Sequence, residues 1–299
     1  MRPGKERDWR DPAASPAWRL GNLLDLRDAD SHAAAHPVGA VNMPLPPDAF
    51  ADPEAVAANL ADALPAVLLP PRHEPLLVMG ETEVAEAVAE FLRGRGRPAV
   101  TALTLDAGAV AALPGELREI GIGRRRLWGP PEFLAGNEDL LPAPDLGPAV
   151  DLGAGCGRAA AWLSERGWRV TAVDRHRRAL DLAARVAESA GVEFETACAD
   201  LTDPSQVPSG PWALILAFRF LDRDLMDRMG DLLLPGGVAV IRTYRWIEDC
   251  GGKLPAERHC LHPGELLDFF PADRFETLVH VEDDDPDGSP AAGIVARRL

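Results

Sequence analysis

The chain has 299 residues, of which 46% are hydrophobic and 26% are charged, and its formal net charge is −16 at pH 7. This length suits one large or two ordinary globular domains, and the hydrophobic fraction excludes extended disorder. The negative charge argues against a protein that binds nucleic acid through a broad basic face. No apolar run approaches the roughly 18 residues of a membrane-spanning helix, and the charged start of the chain lacks a signal-peptide core. We therefore expect a cytoplasmic protein that binds neither nucleic acid nor membrane.

The cysteines lie in the second half of the chain at irregular spacings, as Cys156, Cys198, Cys250 and Cys260. This pattern predicts reduced thiols and not a disulfide framework. Cys250, His259, Cys260 and His262 are close in sequence, but they lack the two tight pairs that are typical of a structural zinc site. We therefore expect an ordinary loop there and no metal.

The first half alternates short apolar runs with helical patterns. The predicted strands cover residues 20–26, 76–79 and 99–103, and the predicted helices cover 47–64 and 83–95. Such alternation favours parallel strands joined by crossover helices.

Two segments of this half resemble the rhodanese family. The first strand ends in Asp25, Arg27 and Asp28, and the run HPVGAVNMPL follows at 36–45; the run LDAGAVAA lies at 105–112. The resemblance covers about residues 17–115, and it implies a rhodanese-like α/β domain over residues 1–120.

Sulfur transfer by such a domain needs a cysteine thiolate of low pKa in a loop of backbone N–H groups. Here Glu81, Thr82 and Glu83 follow the strand that should deliver the thiolate, and no cysteine precedes Cys156. Two carboxylates would also repel an anionic sulfur donor. We therefore expect a catalytically inactive domain.

Residues 121–147 are rich in glycine, proline and arginine, and we predict a linker followed by the N-terminal helix of a second domain, over 131–141. We interpret Arg124, Arg125 and Arg126 as a solvated junction. Trp128 is either a core residue or a wall of a cofactor pocket, and the sequence leaves both alternatives open.

The segment AVDLGAGCGR at 149–158 joins an apolar strand to a helix. Its glycines permit positive φ and leave room for a ligand against the backbone. Asp151 would repel a pyrophosphate but attract an ammonium or sulfonium group, and Arg158 stands where a dinucleotide fingerprint has a small residue. The segment resembles the glycine-rich motif of class I S-adenosylmethionine-dependent methyltransferases, and the resemblance extends from about Leu127 to the C-terminus.

This resemblance implies a Rossmann-like, seven-stranded class I methyltransferase domain over residues 148–299. Helices are predicted at 178–190 and from Asp222, as N-cap, to Leu233. After the first strand at the glycine motif, further strands are predicted at 168–173, 192–197, 213–217, 238–243, 275–281 and 293–298, the last two joined by the acidic tip 282–287.

The implied cofactor is S-adenosylmethionine. Asp174, which lies 21 residues after Gly153, would accept the ribose hydroxyls. The resemblance implies that Asp200 faces the adenine amino group. The expected cofactor-binding residues are Trp128, Asp151, Gly153, Ala154, Gly155, Asp174, Arg175, Asp200, Leu201, Ala217 and Phe218.

The methyl acceptor should lie beyond the carboxyl ends of strands four and five of this domain. The acceptor-side candidates are Phe218, Arg219 and Tyr244, with Arg223 and Trp246 nearby. Arg219 is either a clamp for an anionic acceptor or a surface cation. No residue stands out as a general base, so no catalytic residue is assigned.

The run RHCLHPGELL at 258–267 resembles a loop and helix of small bacterial methyltransferases related to the tellurite-resistance and thiopurine enzymes. Some of these carry a rhodanese-like domain in front. The resemblance implies a small acceptor: a thiol, a chalcogen oxyanion or a small acid. Arg242 and Tyr244 stand where an acid and a phenylalanine are expected. Two alternatives remain open, namely a non-catalytic cofactor-binding sensor or scaffold and a protein methyltransferase.

Overall fold

The computed structural model describes residues 21–123, 126–248 and 254–299. The chain forms two compact units that divide between Trp128 and Gly129, within the predicted linker. Leu20, Arg124, Arg125 and Cys250, which were named in the predictions above, lie outside the described residues.

The first unit is built on a small parallel sheet. The strands of its described part are β1 Leu23–Asp25, β2 His36–Pro37, β3 Ala40–Asn42, β4 Leu76–Gly80, β5 Val100–Thr104 and β6 Arg118–Glu119. Four of them form a parallel sheet in the order β3-β1-β4-β5, and β2 pairs with β6 antiparallel. The strands predicted from the apolar runs are confirmed, with ends shifted by up to three residues.

Helices connect these strands and bury apolar faces against them. They are α1 Ala29–Ala34, α2 Val56–Ala63, α3 Thr82–Gly94 and α4 Ala107–Ala111, with 3₁₀ turns at Ala66–Leu68 and Gly115–Leu117. Leu60, Val88 and Leu92 are buried in the same core cluster as the apolar side chains of β1 and β4. Helix α3 ends one residue before the predicted Arg95, and Gly96 follows at φ +82°.

The helix predicted over 47–64 is only half correct, because the first nine residues form separate turns. Ala49 N–H donates to the carbonyl of Pro46, and Glu54 N–H donates to the Asp52 carboxylate at 3.0 Å. Proline has no N–H to donate, so Pro46, Pro47 and Pro53 interrupt the helical ladder. The helix therefore begins only at Val56.

The second unit is built on a seven-stranded sheet. The strands are β7 Ala149–Leu152, β8 Val170–Asp174, β9 Glu195–Cys198, β10 Trp212–Phe218, β11 Leu233–Tyr244, β12 Phe275–Asp284 and β13 Pro290–Arg298. Their order in the sheet is β12-β13-β11-β10-β7-β8-β9. Strands β7 to β11 run parallel, and β13 is antiparallel to both of its neighbours. The predicted α/β fold with seven strands and a C-terminal hairpin is confirmed in the described residues.

Helices cover both faces of this sheet. They are α5 Glu132–Ala135, α6 Arg158–Ser164, α7 Arg177–Ala190, α8 Arg223–Leu232 and α9 Glu265–Asp268, with 3₁₀ turns at Glu138–Leu140, Pro144–Leu146 and Glu257–His259. The predicted helix over 131–141 is a single α turn followed by a 3₁₀ turn, since Gly136 ends α5. Asp222 caps α8 as predicted, because its carboxylate accepts the Leu225 N–H at 2.9 Å.

Two strand predictions need correction in the second unit. Strand β11 does not begin after Pro235-Gly236-Gly237 but continues through them from Leu233. A Cβ on Gly237 would lie 2.9–3.1 Å from carbonyl oxygens of Leu234, Trp212 and Ala213, so glycine lets the strand pass there. The hairpin strands are also longer than predicted, so Glu282 and Asp283 lie within β12 and not in the turn.

Apolar side chains fill both faces of the large sheet. One core cluster contains Ile215, Ile241 and Ile294, and the other contains Leu214, Val240 and Val295. The alternation along β10, β11 and β13 follows from the period of two in a strand. None of the helices in the described ranges has the length and apolar character that crossing a membrane requires.

Candidate cofactor and acceptor site

The glycine-rich loop leaves the centre of the large sheet. Strand β7 lies between β8 and β10, and Leu152 pairs with Val173 and with Ala217. Parallel strands bring their carboxyl ends to one edge, where open α/β sheets bind ligands. The loop, the end of β8 and the end of β10 therefore meet at this edge.

The three glycines of the loop differ in what they face. Gly153, Gly155 and Gly157 all have positive φ, between +54° and +70°. A Cβ on Gly153 would lie 2.9 Å from Phe220, and one on Gly157 would lie 2.9 Å from Ala183 and Phe194, so these two glycines permit internal packing. Gly155 has nothing within 4 Å of the place where its Cβ would stand. Its backbone therefore borders open space in which a ligand can contact the main chain.

Asp174 fixes the loop to the neighbouring strand. Its carboxylate accepts the Gly155 N–H at 2.9 Å and the His176 N–H at 2.8 Å. A carboxylate has about four acceptor sites, so it can accept further donors such as hydroxyls. Asp174 is thus held at the mouth of the loop, where the sequence predicted a ribose partner.

Asp151 is a buried carboxylate beneath the same loop. It is 2% exposed, and its Oδ2 has no hydrogen-bond partner in the structure. Burial raises the pKa of Asp151 to about 7, and the negative charge of Asp174 acts in the same direction, whereas the Ala160 N–H lowers the pKa. An unpartnered buried oxygen of this kind suits a cationic group that could bind nearby.

The remaining predicted cofactor residues occupy the same edge with different exposure. Asp200 follows β9, and its Oδ1 accepts the Thr202 hydroxyl at 2.8 Å, a bond that is the main reason for its lowered pKa. The side chain of Leu201 is in the core, so only its backbone could contact a ligand at this edge. Arg175 is exposed beside His176, and Ala217 and Phe218 end β10.

Two of the free cysteines are Cys156, in the glycine loop, and Cys260, in the segment considered for zinc. Burial raises the pKa of the Cys156 thiol, so Cys156 is a small protonated residue in the loop and not a nucleophile. Cys260 is buried near the carbonyls of Pro255 and Ala256. Within the described residues, no group of three or more His, Cys, Asp or Glu could hold a metal ion.

At the ends of β10 and β11, two arginines are bound by the acidic hairpin. Arg219 donates to Asp287 at 2.5 Å and to Asp285 at 3.2 Å, and its guanidinium lies 5.4 Å from the Tyr244 ring centroid. Arg242 is 9% exposed and donates to Asp285 at 2.6 Å and to Asp283 at 2.8 Å. Asp285 thus connects both arginines.

Arg223 bonds a different segment of the chain from the one that Arg219 bonds. It donates to both oxygens of Glu265, at 2.5 and 3.0 Å, and to the carbonyls of Arg258 and Cys260 at 3.0 Å each. These bonds attach the segment before α9 to the start of α8. Trp246 is half-buried, and its backbone N–H donates to the Leu261 carbonyl at 2.7 Å.

Sequence analysis missed several residues of this edge. Phe220 packs on Gly153, and the Phe133 ring lies 5.3 Å from the Arg242 guanidinium and against Gly293. Neither contact has a local sequence signal, since each joins distant segments. The excess of acid in the hairpin was visible in the sequence, but its pairing with Arg219 and Arg242 depends on the order of strands in the sheet.

Trp128 is the last residue of the first unit and is buried. Arg126 stacks over its ring at 4.3 Å. A role for Trp128 at the cofactor stays a prediction.

Comparison with known proteins identifies the second unit. Residues 149–237 match the family model described as a methyltransferase domain. No curated protein matches the chain. Two observations fit the implied cofactor: open space faces Gly155, and the buried Asp151 at the end of β7 has an oxygen without a hydrogen-bond partner. The match to a methyltransferase domain therefore lies within the second unit and includes the glycine loop.

Solved structures with similarity to the chain include three proteins of low sequence identity. TehB from Haemophilus influenzae has 20% identity over 56% of this chain and 62% of its own, with a TM-score of 0.46. The N-methyltransferase NodS from Bradyrhizobium japonicum WM9 has 17% identity over 56% and 94%, with a TM-score of 0.43. A SAM-dependent methyltransferase from Aquifex aeolicus has 15% identity over 56% and 90%, with a TM-score of 0.43. The chain thus spans 62% of the length of TehB.

Proposed function

We propose that the chain transfers a methyl group from S-adenosylmethionine to a small-molecule acceptor at the carboxyl edge of the large sheet. The observation that carries this proposal is the glycine loop, in which Gly155 faces open space and the preceding strand holds the buried Asp151, whose Oδ2 has no hydrogen-bond partner. The matching methyltransferase domain model covers this loop.

Each residue of this edge would contact a different part of the cofactor. Asp174 would accept the ribose hydroxyls, and Asp200 would face the adenine. Asp151 would stabilise the positive charge of the methionine portion from below the loop. When bound, the cofactor supplies an electrophilic methyl group on a sulfonium. The protein must align the acceptor with it and exclude water, which is a role for Phe218 and Phe220.

The acceptor needs no dedicated base in this proposal. No residue at the ends of β10 and β11 is assigned as a general base, so the acceptor atom would have to be nucleophilic without one. A thiol or an amine meets this condition through its free lone pair or ionisation. The net charge of −16 speaks against RNA or DNA as the acceptor.

We further propose that the first unit is a rhodanese-like module without sulfurtransferase activity. Its parallel sheet and the order of its motifs support the resemblance. At the end of β4, where a thiolate would be required, Glu81 is the N-cap of α3 and Glu83 lies in its first turn. The carboxylates of these residues cannot carry a persulfide.

The test is formation of S-adenosylhomocysteine by the purified full chain with a panel of thiols, amines, selenite, tellurite and small acids. Single-turnover methyl transfer to any of them supports the proposal. If the cofactor binds but methyl transfer is seen only in a parallel assay with peptides, the chain is a protein methyltransferase. If it binds and nothing is methylated, the chain is a sensor or scaffold.

A further inference from the structure

The acidic tip of the hairpin is an integral part of the acceptor edge. Strand β10 ends at Phe218, which pairs with Arg242 of β11, and Arg219 N–H donates to the Arg242 carbonyl at 2.8 Å. The side chains of Arg219 and Arg242 are then bound by carboxylates from the β12–β13 hairpin. Residues far apart in sequence therefore determine the charge at this edge.

The arginines are neutralised by these carboxylates. Asp285, whose side chain is 12% exposed, bonds both guanidinium groups, and Asp283 and Asp287 each bond one of them. Burial raises the pKa of Asp287, but its bonds to Ser289 and Arg219 outweigh burial and hold the pKa below its usual value. Three carboxylates thus face two guanidinium groups, and the cluster carries one excess negative charge.

An anionic acceptor would have to displace one of these carboxylates. Displacement of Asp285 would leave its carboxylate, which is 12% exposed, without its partners, which is unfavourable. This carboxylate would also repel the incoming anion. An uncharged or cationic acceptor meets neither obstacle.

We propose that the hairpin carboxylates Asp283, Asp285 and Asp287 exclude anions from the acceptor edge, so that the acceptor is an uncharged or cationic small molecule, such as an amine. This inference rests on the proposed methyl transfer, and it assigns Arg219 to the hairpin and not to the acceptor. For an amine, the nitrogen lone pair forms the bond to the methyl carbon as the sulfur–carbon bond breaks. The electron pair of that bond stays on sulfur, and the ammonium proton passes to solvent.

Binding of inorganic anions by the full-length protein tests the proposal without a known acceptor. Sodium selenite and sodium sulfate are titrated calorimetrically into wild type, Asp287→Asn and Asp285→Asn/Asp287→Asn at constant ionic strength. The control is Asp273→Asn/Asp284→Asn, which removes two exposed acids, one just before β12 and one at its end beside the hairpin tip, neither of which is bonded to Arg219 or Arg242. Asp287 is 44% exposed, so the single variant remains informative if the double variant does not fold.

We expect no saturable anion binding in the wild type and in the control. The Asp287→Asn variant should bind selenite at least about tenfold more tightly than the control, and adding Arg219→Ala should remove this gain. Anion binding by wild type that Arg219→Ala abolishes would overturn the proposal, and so would a failure of both Asn variants to gain binding. Titration of S-adenosylmethionine into the same samples reports on the methyltransferase function separately, since its result does not depend on the anion result.

Discussion

The carboxylate of Asp174 accepts the backbone N–H of Gly155 at 2.9 Å, which connects the end of β8 to the glycine loop that follows β7. The residue that should bind the ribose therefore also shapes the loop. Asparagine can accept only through its single oxygen, so Asp174→Asn loses one of the two backbone bonds.

We predict that Asp174→Asn weakens S-adenosylmethionine binding at least about tenfold, or roughly 1.4 kcal/mol, by calorimetry. Asp181→Asn is the matched control, because Asp181 lies on α7 with a side chain that is 63% exposed. Equal affinity of the two variants would show that Asp174 does not bind the cofactor.

Asp151 should couple cofactor binding to pH. Its pKa of about 7 means that about half of the free protein carries a protonated Asp151 at neutral pH. A cationic ligand favours the ionised form, so affinity should rise from about pH 6 to about pH 8, and binding near pH 7 should release protons. Calorimetry in buffers of different ionisation enthalpy measures this release.

The Asp151→Asn variant should bind with an affinity that no longer changes over this pH range. The stability of the ligand-free domain should change with pH in the opposite direction to the cofactor affinity. Because the folded pKa lies above the unfolded value of about 3.9, the ligand-free domain should lose stability as pH rises between these values. A wild-type affinity that is constant with pH would refute the proposed role of Asp151.

Asp25 should hold the first unit together. Its fully buried carboxylate bonds Arg27 at 2.6 Å and His32 at 2.8 Å. Burial acts to raise the pKa of Asp25, but these bonds prevail and lower it. Its contribution to stability is therefore present above the unfolded pKa and is lost as pH falls through the lower folded pKa.

We predict that Asp25→Ala destabilises the first unit by about 3–5 kcal/mol, because it leaves a buried charge unpaired. Hydrogen exchange of peptides from β1 and β4 should accelerate, with peptides from β7 and β10 as the internal control. Asp30→Ala removes an exposed acid of the neighbouring helix α1 and should have little effect. Unchanged exchange in Asp25→Ala would contradict this account.

The chain should not transfer sulfur from thiosulfate to cyanide. No cysteine precedes Cys156, and the thiol of Cys156 is protonated by burial. A standard sulfurtransferase assay should give no turnover above the rate without protein. Turnover that survives replacement of all four cysteines would refute the inactive-module proposal.

The sequence predicted most of the second unit because its signals are local. Gly157 and Gly191 mark the start of α6 and the end of α7 through positive φ, and Asp222 caps α8 through a bond three residues away. Long apolar runs identified β10 and β11. The helix over 47–64 was predicted too long because apolar spacing outweighed the effect of Pro47 and Pro53 in that segment.

The acceptor edge could not be predicted in the same way. The bonds from Arg219 to Asp285 and Asp287 join residues 66 and 68 positions apart. They depend on β13 placing the hairpin beside β11, which is a property of the sheet order and of no short segment. The sequence left two interpretations of Arg219, as a clamp for an anionic acceptor or as a surface cation. In the structure its guanidinium bonds Asp285 and Asp287 of the hairpin.

The measurement that tests the central claim most directly is calorimetric titration of S-adenosylmethionine into wild type, Gly155→Ala and Gly167→Ala. Both glycines have positive φ and open space at the Cβ position, so both substitutions impose similar backbone strain. Only the methyl group at 155 enters the space beside the loop. We predict binding by wild type with a dissociation constant of about micromolar order, at least about tenfold weaker binding by Gly155→Ala, and binding near wild type by Gly167→Ala. Absence of binding by wild type, or equal affinity of the two variants, would contradict a cofactor site at this loop.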